Sequence, residues 1–109
     1  MVEITEYVDL RGTCPFARWR NALDATTRAR ITVALDRVEQ GNFASSKSVG
    51  AGVSELRLDF GPGYRIYFGR EGERLVILLG GGTKSRQQAD IKNAQALWQE
   101  YKNIKGKRT

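Results

Sequence analysis

Two arginines, Arg57 and Arg65, stand inside segments whose other residues alternate between apolar and polar. A guanidinium is always charged and presents a fork of N–H donors that fits a phosphate. Arginines in the middle of strands are uncommon unless one face of the sheet stays wet or binds something, so this pair sets the functional question. Around them lie Glu55, Asp59, Tyr67 and Lys84. Two guanidinium groups and an amine can stabilise extra negative charge on phosphorus, and carboxylates, a phenol or an amine beside them can give or take a proton.

The alternation also says which of them share a surface. Leu56, Leu58 and Phe60 alternate with Glu55, Arg57 and Asp59, and Tyr64, Ile66 and Phe68 alternate with Arg65 and Tyr67. Each strand therefore has an apolar and a charged face. Between them, Gly61-Pro62-Gly63 makes a tight turn, with proline at its first central position and glycines that permit positive φ. Pairing Phe60 with Tyr64 sets Arg57 opposite Tyr67 and Asp59 opposite Arg65, with both arginines and Tyr67 on one face. A third run, 75–79, is apolar at every position, as expected of a central strand covered on both sides.

Three helices surround this meander. Pro15 suits a first helical turn with Thr13 or Cys14 capping it, and Phe16, Trp19 and Leu23 follow at helical spacing. A second helix is predicted over 26–40, with Ile31, Ala34, Leu35 and Val38 on one face and Gly41-Asn42 as its C-terminal stop. A third is predicted over 85–102, with Ile91, Ala94, Trp98 and Tyr101 as its stripe. Residues 1–8 alternate weakly, as an edge strand does, and 44–52 suit a mobile loop or a short strand. The basic end, from about Lys105 onward, reads as frayed. The expected order is strand, two helices, three or four strands, helix.

Composition bounds the rest. At 109 residues the chain fits one small domain, 1–109, and 40% hydrophobic with 28% charged residues is ordinary for a globular protein. No signal peptide pattern follows Met1, and no apolar run approaches the ~20 residues that span a bilayer. Cys14 is the single cysteine and there is no histidine, which excludes an internal disulfide and argues against a zinc site. The cytoplasm is the expected compartment, and no membrane partner is expected. The net charge of +6 is uneven: residues 84–109 hold seven basic side chains against Asp90 and Glu100. A basic C-terminal end favours a polyanionic partner, nucleic acid first.

Several motifs then come together in order. They are Thr13-Cys14-Pro15-Phe16 with Trp19; Ala29-Arg30-Ile31, Arg37 and Gly41-Asn42-Phe43; and Glu55-Leu56-Arg57. Gly61-Pro62-Gly63-Tyr64-Arg65-Ile66-Tyr67 follows, then Leu78-Leu79-Gly80-Gly81-Gly82-Thr83-Lys84, with Gln87 and Asp90-Ile91 after it. In these the chain resembles the RelE/ParE superfamily of bacterial type II toxins, and within it the HigB-like addiction module killer proteins. The resemblance implies an α+β fold in which N-terminal helices pack on a small, twisted, mainly antiparallel sheet, with a C-terminal helix.

It also implies two competing activities. RelE-like members cleave mRNA in the ribosomal A site, whereas ParE-like members poison DNA gyrase. For cleavage, the ribose 2′-hydroxyl loses its proton and attacks the adjacent phosphate, and the leaving oxygen gains one. Arginine and lysine can supply the positive charge, so the implied toxin needs neither metal nor cofactor. Arg57 and Arg65 fall where the superfamily carries its sheet arginines, Lys84 where members often place another active-site group. Tyr67 is a candidate for stacking or proton donation, and Glu55 the one carboxylate in the motif that suits a base. Lys47, Arg86, Gln87 and Lys92 are the expected contacts to RNA phosphate. A non-toxic, basic nucleic-acid-binding module is the third reading.

Plainer roles compete for the same residues. Asp59 with Arg65 reads equally as a cross-strand ion pair. Arg57 can pair with Glu55 or Glu100, and Tyr64 and Trp98 suit the core better than a nucleotide platform. The run Gly80–Gly82 lacks the rest of a phosphate-loop motif and reads as a turn. Cys14 has no histidine to activate it. Ribosome-dependent relatives that use histidine for acid–base work also differ from this chain, which leaves that work to Glu55, Tyr67, Lys84 or an arginine. The resemblance further implies a cognate antitoxin, usually a helix-turn-helix DNA-binding protein. It would neutralise by covering the Arg57/Arg65/Lys84 surface or by barring access to the ribosome, and the complex would repress its own promoter.

Overall fold

A computed structural model describes residues 1–107. The elements run β1 (Glu3–Glu6), α1 (Pro15–Asn21), α2 (Ala25–Glu39), β2 (Ser46–Gly50), β3 (Val53–Leu58), β4 (Tyr64–Glu71), β5 (Leu75–Thr83), a 3₁₀ turn (Lys84–Arg86) and α3 (Gln87–Lys107). All five strands form one sheet in the order β1-β5-β4-β3-β2. Only the β1–β5 pair is parallel. This is the α+β arrangement expected, and 44–52 takes the short-strand option. α3 continues through Lys107, past the point expected to fray, and 108–109 lie outside the described residues.

Local chemistry explains the boundaries. The Asp24 side chain accepts from Thr27 N–H and caps α2. The Gly41 and Asn42 N–H groups turn back onto Val38 and Arg37 carbonyls and close it. The turn after β3 is longer than expected: Leu58 pairs with Tyr64, so Asp59–Gly63 loop out and Phe60 leaves the ladder. Positive φ at Gly61 and Gly63 lets the chain reverse there. Phe60 packs instead on Tyr64, with ring centres 5.2 Å apart, under the Arg30 guanidinium.

Both faces of the sheet are covered. On one, Phe16 of α1 and Ile31 and Val38 of α2 pack on Leu56, Leu58, Ile66, Phe68, Val76 and Leu78. On the other, Ala94 and Trp98 of α3 pack on Val53, Tyr67, Ile77 and Leu79. This is why 75–79 is apolar at every position: β5 lies between β1 and β4 with a core on each side. Tyr7 donates a 2.6 Å hydrogen bond to Glu100, and Tyr101 and Lys105 hold Glu71, fastening the far end of α3 to the sheet. Among the described residues, no helix is long and apolar enough to cross a membrane.

The glycine run is strand and not turn. Gly80, Gly81 and Gly82 lie in β5 opposite Tyr67, Ile66 and Arg65, and a bulge at Tyr67/Phe68 adjusts the register. A Cβ on Gly81 would enter the Trp19 ring, and one on Gly82 would enter the Asp90 carboxylate. Gly81 and Gly82 let a helix from each side touch the backbone of β5.

Candidate functional site

The five-residue loop after β3 changes what faces the arginines. Arg57 lies directly opposite Arg65, and Glu55 opposite Tyr67. Asp59 has left the sheet, so the expected Asp59–Arg65 ion pair does not form. Glu55, Arg57, Arg65 and Tyr67 still share one face, but α3 covers that face over most of its length. Glu55 is 0% exposed, Tyr67 1% and Arg65 7%; Arg57 stays exposed.

Glu55 is the centre of the buried part. Its Oε1 accepts a 2.6 Å hydrogen bond from Gln87 Nε2 and lies 3.6 Å from Arg65 Nε, while Lys47 Nζ stands 4.0 Å from Oε2. A carboxylate withdrawn from water needs such compensation, because an unpaired buried charge costs several kcal/mol. Burial, with Glu55 and Asp90 close by, pushes the Tyr67 hydroxyl well above the ordinary phenol range, against the pull of Arg65. That hydroxyl therefore keeps its proton at neutral pH.

Arg65 is held along its length, with Nε beside Glu55, and little of its side chain meets solvent. Its Nη1 reaches the Tyr64 carbonyl at 3.4 Å. A Cβ on Gly63 would sit 3.5 Å from the same Nη1 and 3.3 Å from Lys84 Cβ. The Arg65 guanidinium and the Lys84 stem thus flank one glycine at the mouth of the β3–β4 loop. Lys84 opens the 3₁₀ turn and is exposed, as is Arg86 two residues on. Arg57, Arg65 and Lys84 form a cationic cluster at the end of the sheet, resting on the buried Glu55–Gln87 pair.

The remaining candidates divide. Lys47 joins the cluster through Glu55. Gln87 points inward as a structural donor. Lys92 is exposed, and its spacing from Asp90 and Ala94 turns it toward the opposite side of α3. The carboxylates expected as partners for Arg57 are engaged elsewhere, Glu55 as above and Glu100 with Tyr7 and the Leu10 N–H. Tyr64 packs against Trp19 and Phe60, and Trp98 stacks on Tyr101 over Gly69, as the core reading expects. Cys14 donates to Glu6, and its thiol is pushed up by burial and by that carboxylate.

Asp90 completes the buried cluster. Its carboxylate rests on Gly82, its Oδ2 makes no hydrogen bond among the described residues, and burial pushes its pKa up despite Arg86. The available sign was in the helix stripe: Gln87, Asp90, Ile91, Ala94 and Trp98 share one face, and two polar residues on a buried stripe mark a polar cluster beneath it.

A five-stranded mixed sheet between two helical layers, with a cationic cluster at one end, defines a small basic α+β protein of RelE-like fold. Residues 18–102 match the family described as phage derived protein Gp49-like (DUF891), and the chain belongs to that family, which is RelE/ParE-like and associated with toxin–antitoxin systems. The chain is also 43% identical over 94 residues to an uncharacterized protein of Haemophilus influenzae, covering 85% of this chain and 95% of that one.

Proposed function

We propose that this protein is the toxin of a type II toxin–antitoxin pair, of HigB-like type, and that it stops translation by cutting mRNA on the ribosome. The observation that carries this reading is Arg57 directly opposite Arg65 on one face, with Lys84 beside Arg65. Like charges placed opposite each other on a sheet destabilise it. A bound phosphate relieves that repulsion by accepting from both guanidinium groups.

In this mechanism the 2′-hydroxyl gives its proton to solvent water and attacks the adjacent phosphate, forming the 2′,3′-cyclic phosphate as the bond from phosphorus to the 5′-oxygen breaks. Arg57 and Arg65 hold the non-bridging oxygens, and their charge stabilises the extra negative charge on phosphorus in the transition state. Lys84 is exposed and has a proton to give to the leaving 5′-oxygen. Glu55 and Tyr67 are buried and act as positioning residues: they fix where Arg65 points. Lys47 and Arg86 bind flanking phosphates, and Gln87 acts through Glu55. The partners are ribosome-bound mRNA and a helix-turn-helix antitoxin.

A second reading, a gyrase poison without nuclease activity, is favoured by one fact: Glu55 and Tyr67, candidates for acid–base work, have no exposure to give them a substrate. In vitro translation followed by primer extension on the mRNA tests between them, with wild type, Arg65→Ala and Arg57→Ala. Cleavage confined to translating ribosomes and lost in Arg57→Ala supports the nuclease. Intact mRNA at normal protein yield, with inhibited DNA supercoiling by gyrase, supports the second reading.

A further inference from the structure

β1 is a bare edge of the sheet. Among the described residues it pairs with β5 alone, and Glu3, Thr5 and Glu6 are exposed. The Glu3 and Tyr7 N–H groups turn inward, onto the Arg74 and Leu78 carbonyls. Alternation along the strand therefore aims the N–H and C=O groups of Ile4 and Glu6 outward, along an edge with no neighbour. Such a row is a template for another strand, and exposed edges are usually blunted, often with lysine. This one carries glutamates instead.

The charge here runs against the rest of the chain. The net charge is +6, yet residues 1–10 hold Glu3, Glu6 and Asp9 and no lysine or arginine. Arg74 and Arg11 lie beyond the two ends of the edge. Just past β1, a cavity of about 770 Å³ opens between residues 7–10 and the last turns of α3. Leu75, Ile77, Tyr101 and Ile104 give it an apolar lining, and Lys105 at its rim is taken by Glu71. Val8, 56% exposed, and Leu10, 74% exposed, also border it. The Tyr7 hydroxyl and Leu10 N–H both donate to Glu100, which holds this wall of the cavity against α3.

We propose that the β1 edge and this cavity together dock a basic, extended segment of another protein, which adds to the sheet as a sixth strand. Its backbone pairs with Ile4 and Glu6, and its lysines or arginines meet Glu3, Glu6 and Asp9. One apolar side chain enters the cavity beside Val8 and Leu10. Main-chain bonds of this kind supply affinity, and the pockets for alternate side chains supply specificity. β3, which carries Arg57, is three strands away, about 14 Å. The cationic cluster therefore stays open while the segment is bound, so this surface holds the protein to a partner without blocking its site.

The test is an NMR titration of the ¹⁵N-labelled protein with a peptide of about seven residues, roughly 23 Å when extended. It carries lysines at the positions facing Glu3 and Glu6 and a leucine at the end facing the cavity. A glutamate version is run in parallel, with a version N-methylated on alternate residues along the pairing edge. The expected result is that only the unmodified basic peptide shifts the amides of Ile4, Glu6, Val8 and Leu10, while those of Arg57 and Lys84 stay still. Glu3→Lys combined with Glu6→Lys should weaken it at least about tenfold by like-charge repulsion. Leu10→Asp should do the same by loss of an apolar anchor. Circular dichroism checks that both variants fold.

No binding of the basic peptide, equal binding of the N-methylated one, undiminished binding in the variants, or shifts confined to the cationic cluster overturns the proposal. So does self-association: edge amides that move when the protein alone is concentrated, with a doubled mass in sedimentation, would make the occupant a second copy of this chain. Docking is read on the edge amides whether or not the protein cuts mRNA, so neither idea stands or falls with the other.

Discussion

Glu55 Oε1 accepts a 2.6 Å hydrogen bond from Gln87 Nε2, which joins the middle of β3 to the first turn of α3. No solvent reaches the carboxylate, so this bond and Arg65 are its main compensation. The 3₁₀ turn that carries Lys84 runs straight into α3, and so the position of Lys84 depends on a bond made one turn further on.

Gln87→Ala should therefore cost about 1–3 kcal/mol, the usual cost of leaving a buried polar group unsatisfied. Urea unfolding with the m-value held constant measures it. Glu55→Gln should rescue part of the loss, because it removes the charge that Gln87 serves. Additive losses in the double variant would show that the two side chains do not interact.

Asp90 gives a pH-dependent prediction. Burial raises its pKa above 3.8 in the fold. A carboxyl whose folded pKa is raised binds its proton more tightly when folded, so its stabilisation is present below the ordinary carboxylate range and is lost as pH rises through the raised value. Asp90→Asn keeps the shape against Gly82 and removes the ionisation. It should unfold at a higher urea concentration than wild type at pH 7, with the difference shrinking toward pH 3. A gap that grows on acidification would reverse the sign and exclude this account.

Two glycines test how closely the helices touch the sheet. Gly81→Ala pushes a methyl into Trp19, and Gly82→Ala pushes one into Asp90. Overpacking of this kind costs roughly 1–3 kcal/mol. Gly82→Ala should be largely rescued by Asp90→Ala, which empties the space, whereas Asp90→Ala should do nothing for Gly81→Ala. Thermal unfolding of the three single and two double variants reads both.

Much of this arrangement was legible in the residues. The alternation of 53–60 and 64–68 located the strands and put Arg57, Arg65 and Tyr67 on one face, and the unbroken apolar run 75–79 gave the doubly covered strand. The register was not legible, because Phe60 satisfies the alternation and yet finds a better environment between Tyr64 and Arg30 than in the ladder. That slip moved Arg57 from Tyr67 to Arg65. The burial of Glu55 and Tyr67 is not legible from alternation, which does not say where α3 lands; Gln87 and Asp90 on the stripe of α3 are the sign of its target. Gly80–Gly82 read as a turn because glycine in a strand is justified only by what lies on top of it, which is a tertiary fact.

Arg57 is where stability and function are expected to part. It is exposed, stands opposite Arg65, and its candidate carboxylate partners are engaged with other groups. Replacing it removes a like-charge contact, so Arg57→Ala should stabilise the fold by about 0.2–1 kcal/mol. The gain should shrink with added salt, since an exposed charge pair is screened. The same substitution takes away one of the two forks on the phosphate and should abolish mRNA cleavage. Inorganic phosphate supplies the control: it should stabilise wild type and leave Arg57→Ala nearly unmoved, because only a protein with both guanidinium groups gains from binding it. Arg57→Ala that is less stable than wild type in low salt, or equally stabilised by phosphate, would mean that the two arginines do not form an anion site.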